Sequence, residues 1–279
     1  LVKCSALGWV EDGEGIIPEE QFSFKERVAR SFSLAADSYD CAAQLQRRVG
    51  SMLLEMVPNI GYQKVLDLGS GTGYYSRKLM QDYSIDTLVG LDLAEGMSAY
   101  SSKNSGGSNI HWCCGDAESL PINGNSIDLV FSNLMLQWCA GTRALGQEMH
   151  RVLRDKGEWV FSTLGPGTLE ELRQAWANVD NYVHVNSFIS KHEIEKQLVS
   201  AGLTVEVHQC KLVMQYSKLS HLTRDLKGIG ANNVNPGRAR GLTASKRLKA
   251  LSRAYDTFRN DQGMLPATYV VYLARARKQ

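Results

Sequence analysis

The stretch Val65-Leu66-Asp67-Leu68-Gly69-Ser70-Gly71-Thr72-Gly73 constrains the fold more than any other part of the chain. It reads as a buried strand that enters a Gly-rich turn and then a helix beginning near Tyr74, because glycine permits tight turns and close approach of the backbone to a ligand. From there apolar strand-like runs alternate with helical ones, at 64–68, 76–82, 87–92, 96–103, 110–114, 127–132, 142–153 and 158–163. A helix at 191–201, a strand at 204–213 and a last strand at 268–274 follow, the last expected to close the sheet. Such alternation means βαβ units and a doubly wound, mostly parallel α/β sheet. Ahead of it, residues 22–56 read as two helices. One presents Phe24, Val28, Phe32, Ala35 and Ala36 on a single face; the other presents Ala42, Leu45, Val49, Leu53 and Met56, and ends at Pro58 and Gly61. Residues 1–21 lack periodicity and read as a loose extension, which leaves 22–279 as a single domain. Two segments, 164–189 and 217–263, exceed what a connection needs and are expected to form helical caps over the mouth of a site.

Composition narrows the class. With 43% hydrophobic and 22% charged residues, the 279-residue chain suits a globular domain with a full core. No apolar run approaches the roughly 18 residues of a membrane helix, and the first residues lack a secretory pattern, so the expected location is cytoplasmic. The six cysteines show no C-x-x-C and no zinc-like spacing with histidine, and read as packing thiols. The net charge of +2 is unevenly spread: from Ser217 onward there are 13 Lys/Arg against 3 Asp/Glu, and before it 18 against 26. The basic residues Arg238, Arg240, Lys246, Arg247, Lys249, Arg253 and Arg259 read either as a solvated face or as a dock for an acidic partner.

Three strand ends carry binding chemistry, at the edge where open α/β sheets hold ligands. Asp67, two residues before Gly69, puts a carboxylate where the cationic amino group of an amino-acid moiety could lie. Tyr74 after Gly73 breaks the G-x-G-x-x-G spacing of nicotinamide sites. Asp92, about 20 residues beyond the Gly-rich turn, can accept both hydroxyls of a ribose, whether in a nicotinamide dinucleotide or in S-adenosylmethionine. Gly115-Asp116-Ala117-Glu118-Ser119-Leu120-Pro121 supplies a side-chain acceptor and amides for an adenine, and its acidity disfavours a dinucleotide. At the fourth strand Ser132 and Asn133 emerge where a transferable methyl would sit, followed by Gln137 and Trp138, the latter equally well explained as packing under a cap.

Together these motifs resemble class I S-adenosylmethionine methyltransferases. The lead-in Lys25-Glu26-Arg27-Val28-Ala29-Arg30-Ser31-Phe32, with Ala35-Ala36, Tyr39-Asp40 and Leu45-Gln46, resembles the malonyl-acyl-carrier-protein O-methyltransferases of biotin synthesis. So do Asp116 to Pro121, Ser132-Asn133-Leu134 with Gln137-Trp138-Cys139, Gln174-Ala175-Trp176, Leu226-Lys227-Gly228-Ile229-Gly230-Ala231, Leu242-Thr243 and Pro266-Ala267-Thr268-Tyr269. Ser70 departs from the cysteine common there, a nearly isosteric change. The resemblance implies a seven-stranded Rossmann-like sheet and S-adenosylmethionine as cofactor, held by Asp67, Gly69, Gly71, Gly73, Asp92, Leu93, Met97, Asp116, Ala117, Ser132 and Gln46. The implied reaction is methylation of the free carboxylate of a malonyl thioester on acyl carrier protein, or on coenzyme A, to a methyl ester.

A malonyl carboxylate is already ionised at neutral pH, with a pKa of about 4, so the site needs orientation rather than a strong base or a metal. An Arg fork or a Lys would position it, with Arg30, Arg143 and Lys227 as candidates. Asn133 flanks the reacting groups, and Tyr39 would close over the methionine end. A methyltransferase of another small acid or a quinone precursor, and a silent S-adenosylmethionine sensor, stay open. Nucleic-acid methylation is disfavoured, since Met135 stands where base amino methylation needs a Pro-Pro-aromatic run; no membrane partner is expected.

Overall fold

A computed structural model describes residues 22–105, 109–231 and 245–278. Ser23 starts the first helix, α1 (Phe24–Ala42), with a reciprocal cap: its hydroxyl accepts the Glu26 amide at 3.3 Å, and the Glu26 carboxylate accepts the Ser23 amide at 2.6 Å. The chain turns at Ala43 into α2 (Gln44–Leu54), which buries Leu45, Val49 and Leu53, the face the apolar spacing predicts. The alternation then follows as β1 (Tyr62–Leu68), α3 (Tyr74–Asp82), β2 (Ile85–Asp92), α4 (Glu95–Lys103), β3 (Ile110–Cys114), β4 (Ile127–Ser132), α5 (Thr142–Val152), β5 (Leu153–Leu164), α6 (Glu170–Ala177), α7 (Lys191–Ser200), β6 (Leu203–Tyr216), α8 (Leu219–Gly228), α9 (Ser245–Asp256) and β7 (Leu265–Lys278).

The seven strands form one sheet in the order β3-β2-β1-β4-β5-β7-β6. The first five pair in parallel, and β7 runs antiparallel to both β5 and β6. The last strand therefore does not close an edge: it inserts between β5 and β6, which leaves β6 outermost. Side chains alternate between two cores, as the period of two requires. Val65, Leu129, Phe131, Val160 and Val271 face α2, α3, α6, α8 and α9; Leu66, Leu68, Val130, Trp159 and Phe161 face α5 and α7. Both faces are covered, so the parallel strands read as continuous apolar runs.

Strand order reverses between β1 and β4, and the crevice at their carboxyl ends is the switch point where such sheets bind ligands. Helix α1 lies across that end, against α4 and α8. The Ser33 hydroxyl accepts the Gly96 amide at 3.1 Å, and the hydroxyls of Ser31 and Ser38 donate to the carbonyls of Gly230 and Gly228 at 2.8 and 3.0 Å. A methyl group on Gly96 would sit 2.7 Å from the Ser33 carbonyl oxygen, so glycine is what lets α1 approach α4. The segments 164–189 and 217–263 do carry helices, α6 in the first and α8 and α9 in the second. Residues 1–21, Arg238, Arg240 and the Leu242-Thr243 pair lie outside the described residues. None of the described helices is long and apolar enough to cross a membrane.

Candidate active site at the strand ends

The Gly-rich turn is built on left-handed backbone. Gly69, Gly71 and Gly73 have φ of 74°, 55° and 75°, and a β-carbon on Gly69 would meet the Met135 side chain at 2.5 Å. Asp92 fixes this turn from the next strand. One carboxylate oxygen accepts the Gly71 amide at 2.8 Å, and the other accepts the Ala94 amide at 2.8 Å, ahead of α4. With the Leu93 amide as a third donor, the carboxylate keeps about one of its four acceptor sites for a further donor. Burial raises the Asp92 pKa, and the bonds from Ala94, Gly71 and Leu93 oppose the rise.

Asp67 is buried beneath the turn and accepts a short hydrogen bond from the Ser76 hydroxyl. Burial, with a contribution from the Asp92 charge, pushes its pKa up to about 7 against the opposing Ser76 bond. Thr72 donates to Asp40 at 2.9 Å, which ties the turn to the α1–α2 junction.

These groups border a cavity roofed by α1 and the caps. Asp92, Leu93, Asp116, Ala117, Gly69, Gly71, Gln46, Tyr39 and Asn133 all line it. A smaller adjoining pocket reaches Asp67, Thr72, Arg47 and Tyr74 as well, and shares Tyr39, Gln46 and Asn133 with the first. At the Asp116 end, Lys25 from α1 bridges Asp116 at 2.6 Å and Glu118 at 2.5 Å, and Glu118 also accepts the amides of Ala140 and Gly141. Burial alone would lower the Lys25 pKa; the two carboxylates outweigh it and raise it. Trp138 stands edge-on to Phe32 of α1, with ring centres 5.2 Å apart, so it braces the roof.

Asn133 is held from two sides. Its amide donates to the Gln46 carbonyl at 2.9 Å and its oxygen accepts from Ser162 at 2.8 Å, while Leu134 beside it takes a positive φ of 52°. The side chain therefore fixes the β4 loop against α2.

The sequence between residues 66 and 161 matches the methyltransferase domain family. Over 264 residues the chain is 41% identical to the malonyl-acyl-carrier-protein O-methyltransferase of Gallionella capsiferriformans, covering 91% of each. The chain belongs to that methyltransferase family. It is also 44% identical to a bifunctional biotin biosynthesis protein of Cellvibrio japonicus, over 89% of this chain but 49% of the relative, so it spans about half that protein's length. The fold matches the phosphoethanolamine N-methyltransferase 2 of Haemonchus contortus, solved with S-adenosylhomocysteine, at a TM-score of 0.60 and 18% identity, covering 93% of this chain and 61% of the other.

This methyltransferase chain fits S-adenosylmethionine on its own atoms. The turn is open at Gly71, where a β-carbon would meet nothing nearer than Tyr39 at 4.0 Å, and Asp92 has an acceptor site left for a hydroxyl. The buried Gln46 Oε1 has no hydrogen-bond partner among the described residues, although Gln46 lines both hollows. Three of the expected cofactor residues stand elsewhere. Met97 packs against Ala36 and Ala94 between α4 and α1, Ser132 is wholly buried at the end of β4, and Gly73 faces the Trp112 ring; none of them lines either hollow.

The expected carboxylate clamps need correction. Arg30, Arg143 and Lys227 are all exposed and none lines either hollow. Arg30 lies over the Phe22 ring, 5.5 Å from its centre. The basic side chains that do line the main cavity, among the described residues, are Lys25 and His184. Neither is singled out by its sequence context. Asp180 and His184 lie beyond the end of α6, so their four-residue spacing from Trp176 carries no helical signal.

Proposed function

We propose that this chain transfers the methyl group of S-adenosylmethionine to the free carboxylate of a malonyl thioester on acyl carrier protein, an early step of pimeloyl formation in biotin synthesis. The products are the methyl ester and S-adenosylhomocysteine. The reading rests on the likeness to the Gallionella capsiferriformans protein across 91% of both chains. S-adenosylmethionine would supply an electrophilic methyl on a sulfonium. A carboxylate oxygen forms the new bond to carbon, the sulfur keeps the electron pair of the broken one, and no proton has to move.

The chain's own part is to hold, orient and keep water out. Asp92 would take the ribose hydroxyls, Asp116 and the Ala117 backbone the adenine, and Asp67 the amino group of the methionine end. Tyr39, across the Gly71 turn, would cover that end. The decisive test is mass spectrometry of malonyl-acyl carrier protein after incubation with the protein and S-adenosylmethionine. One added CH2 on the malonyl group supports the reading. Confirmed cofactor binding with no such gain would sink the substrate assignment.

The Asp67 assignment makes a pH prediction. Below a pKa of about 7 the free protein holds this carboxyl protonated. A cationic amino group beside it favours the ionised form, so binding releases a proton. Affinity for S-adenosylmethionine should climb from pH 5.5 towards 7, by at most about tenfold per pH unit, and then level off. Calorimetry in two buffers of different ionisation enthalpy reads the released proton; its absence at pH 6 would remove Asp67 from the cofactor.

Acyl carrier proteins are acidic, and α9 offers them cations. Lys246, Lys249 and Arg253 are exposed. Arg247 is committed to Asp180 and to the Tyr182 ring, and Arg259 to Asp256 and the Ser217 and Gly263 carbonyls, so those two serve the fold. Reversing Lys246, Lys249 and Arg253 to Glu should lower turnover of the carrier-linked substrate and spare a small malonyl thioester. The difference should shrink in salt, which screens exposed charges beyond about 10 Å at 0.1 M. Equal loss on both substrates would argue against docking at α9.

A further inference from the structure

His184, between α6 and α7, lines the main cavity together with Asn186, Phe188 and Leu172. Its ring stacks on Trp176, with centres 3.6 Å apart and planes 7° from parallel. Its Nε2 is 2.7 Å from one Asp180 carboxylate oxygen; the other oxygen of Asp180 pairs with Arg247 from α9. Burial alone would raise the Asp180 pKa, yet Arg247, the Tyr182 amide and His184 hold it at about 2. Asp180 is therefore a fixed anion that orients the imidazole. With Nε2 engaged there, Nδ1 is the ring's other polar atom.

We propose that His184, as its imidazolium, binds the carboxylate of the substrate through Nδ1, with Asp180 and Arg247 holding the ring for that contact. The inference rests on the malonyl reading above.

Charge balance carries it. The acids lining the cavity are Asp92, Asp116, Glu118 and Asp225. Of the two basic residues there, Lys25 is already claimed by Asp116 and Glu118. Arg47, in the adjoining pocket, is shared between Asp40 at 3.7 Å and the Tyr74 ring. An anionic substrate in this hollow needs a cation, and among the described residues His184 is the one the lining leaves. Arg247, Asp180 and a protonated His184 sum to one positive charge, which a carboxylate neutralises. One carboxylate oxygen stays on the ring while the other is free to attack. Once methylated, the ester carries no charge to hold the imidazolium, so the contact that recruits substrate lapses in the product.

The test compares wild type with His184→Gln, which keeps a donor for Asp180 but cannot become a cation. KM for a small malonyl thioester should rise about 10- to 100-fold, the range for losing a charged hydrogen bond. Inhibition by the neutral methyl-ester product and affinity for S-adenosylmethionine should not change. An unchanged KM overturns the proposal, and so does parallel weakening of acid and ester, which marks a packing role. Should the variant fail to fold, the wild type answers alone: a thioester in which the malonyl carboxylate is replaced by a neutral carboxamide should compete about 10- to 100-fold less well than the malonyl thioester, and equal competition overturns the proposal. No turnover by wild type sinks the malonyl reading and this proposal together, whereas wild-type turnover with an unaltered variant sinks only this one.

Discussion

Asp92→Ala is expected to weaken S-adenosylmethionine binding by about 1 to 3 kcal/mol, or roughly 5- to 150-fold. The carboxylate holds the turn and, in the proposed site, would also take the ribose hydroxyls. Removing it takes away the acceptors for ribose hydroxyls and also frees the Gly71 and Ala94 amides, each held at 2.8 Å. Asp92→Asn keeps one acceptor oxygen and should fall between alanine and wild type. Titration calorimetry with S-adenosylmethionine and with S-adenosylhomocysteine measures both variants. The loss should be similar for the two ligands, because they share the ribose and differ only at sulfur. Unchanged affinity in the alanine variant would end the ribose assignment.

The second large effect is on stability. Trp159 is wholly buried in β5 and stacks on Phe161 with ring centres 4.1 Å apart, and its indole Nε1 has no hydrogen-bond partner among the described residues. Trp159→Ala should cost about 3 to 5 kcal/mol, because the sheet around it is pinned by β4 and β7 and cannot collapse into the hole. That loss should lower the melting temperature by roughly 5 to 15 °C. Trp159→Phe should stay within about 1.5 kcal/mol of the parent. It keeps a ring against Phe161 and removes a donor whose burial without a partner is itself unfavourable, and this offsets part of the lost area. Chemical denaturation of the two variants separates these outcomes. Equal losses would mean that the indole nitrogen, and not the ring, holds the site together.

The strands and the Gly-rich turn were legible because both are governed by local chemistry. Val65 to Leu68 are buried on both faces, with Asp67 the one polar residue among them, and Gly69, Gly71 and Gly73 take backbone angles that favour glycine. Asp92 and Asp116 could be read from their place at strand ends. The carboxylate clamp could not be read this way, because it depends on which side of a helix faces the cavity. Lys25 and Arg30 are five residues apart on α1, about 140° around the axis, so one enters the cavity and the other meets solvent. Lys227 is displaced by a single position from Leu226, which lines the cavity. Arg143 follows Thr142 on α5, whose buried face turns to the other core. His184 lies where no period operates, beyond the end of α6, and its partner Asp180 is fixed by the tertiary pairing with Arg247 of α9. The place of β7 was hidden for a similar reason, since an alternating apolar run does not say which neighbour it will pair with.

That place has a consequence for how the protein is made. On the ribosome, β1 to β5 can pair as they emerge, each beside a strand already synthesised. Strand β6 cannot, because its one neighbour in the sheet is β7, which leaves the exit tunnel later. Until then a 14-residue strand waits unpaired beside the open edge of β5, and an unpaired edge is where chains stick to one another. Ribosomes stalled just before β7 should therefore carry a nascent chain that is sensitive to protease and prone to bind chaperones. Once the 14 residues of β7 have left the tunnel, the whole sheet can close at once.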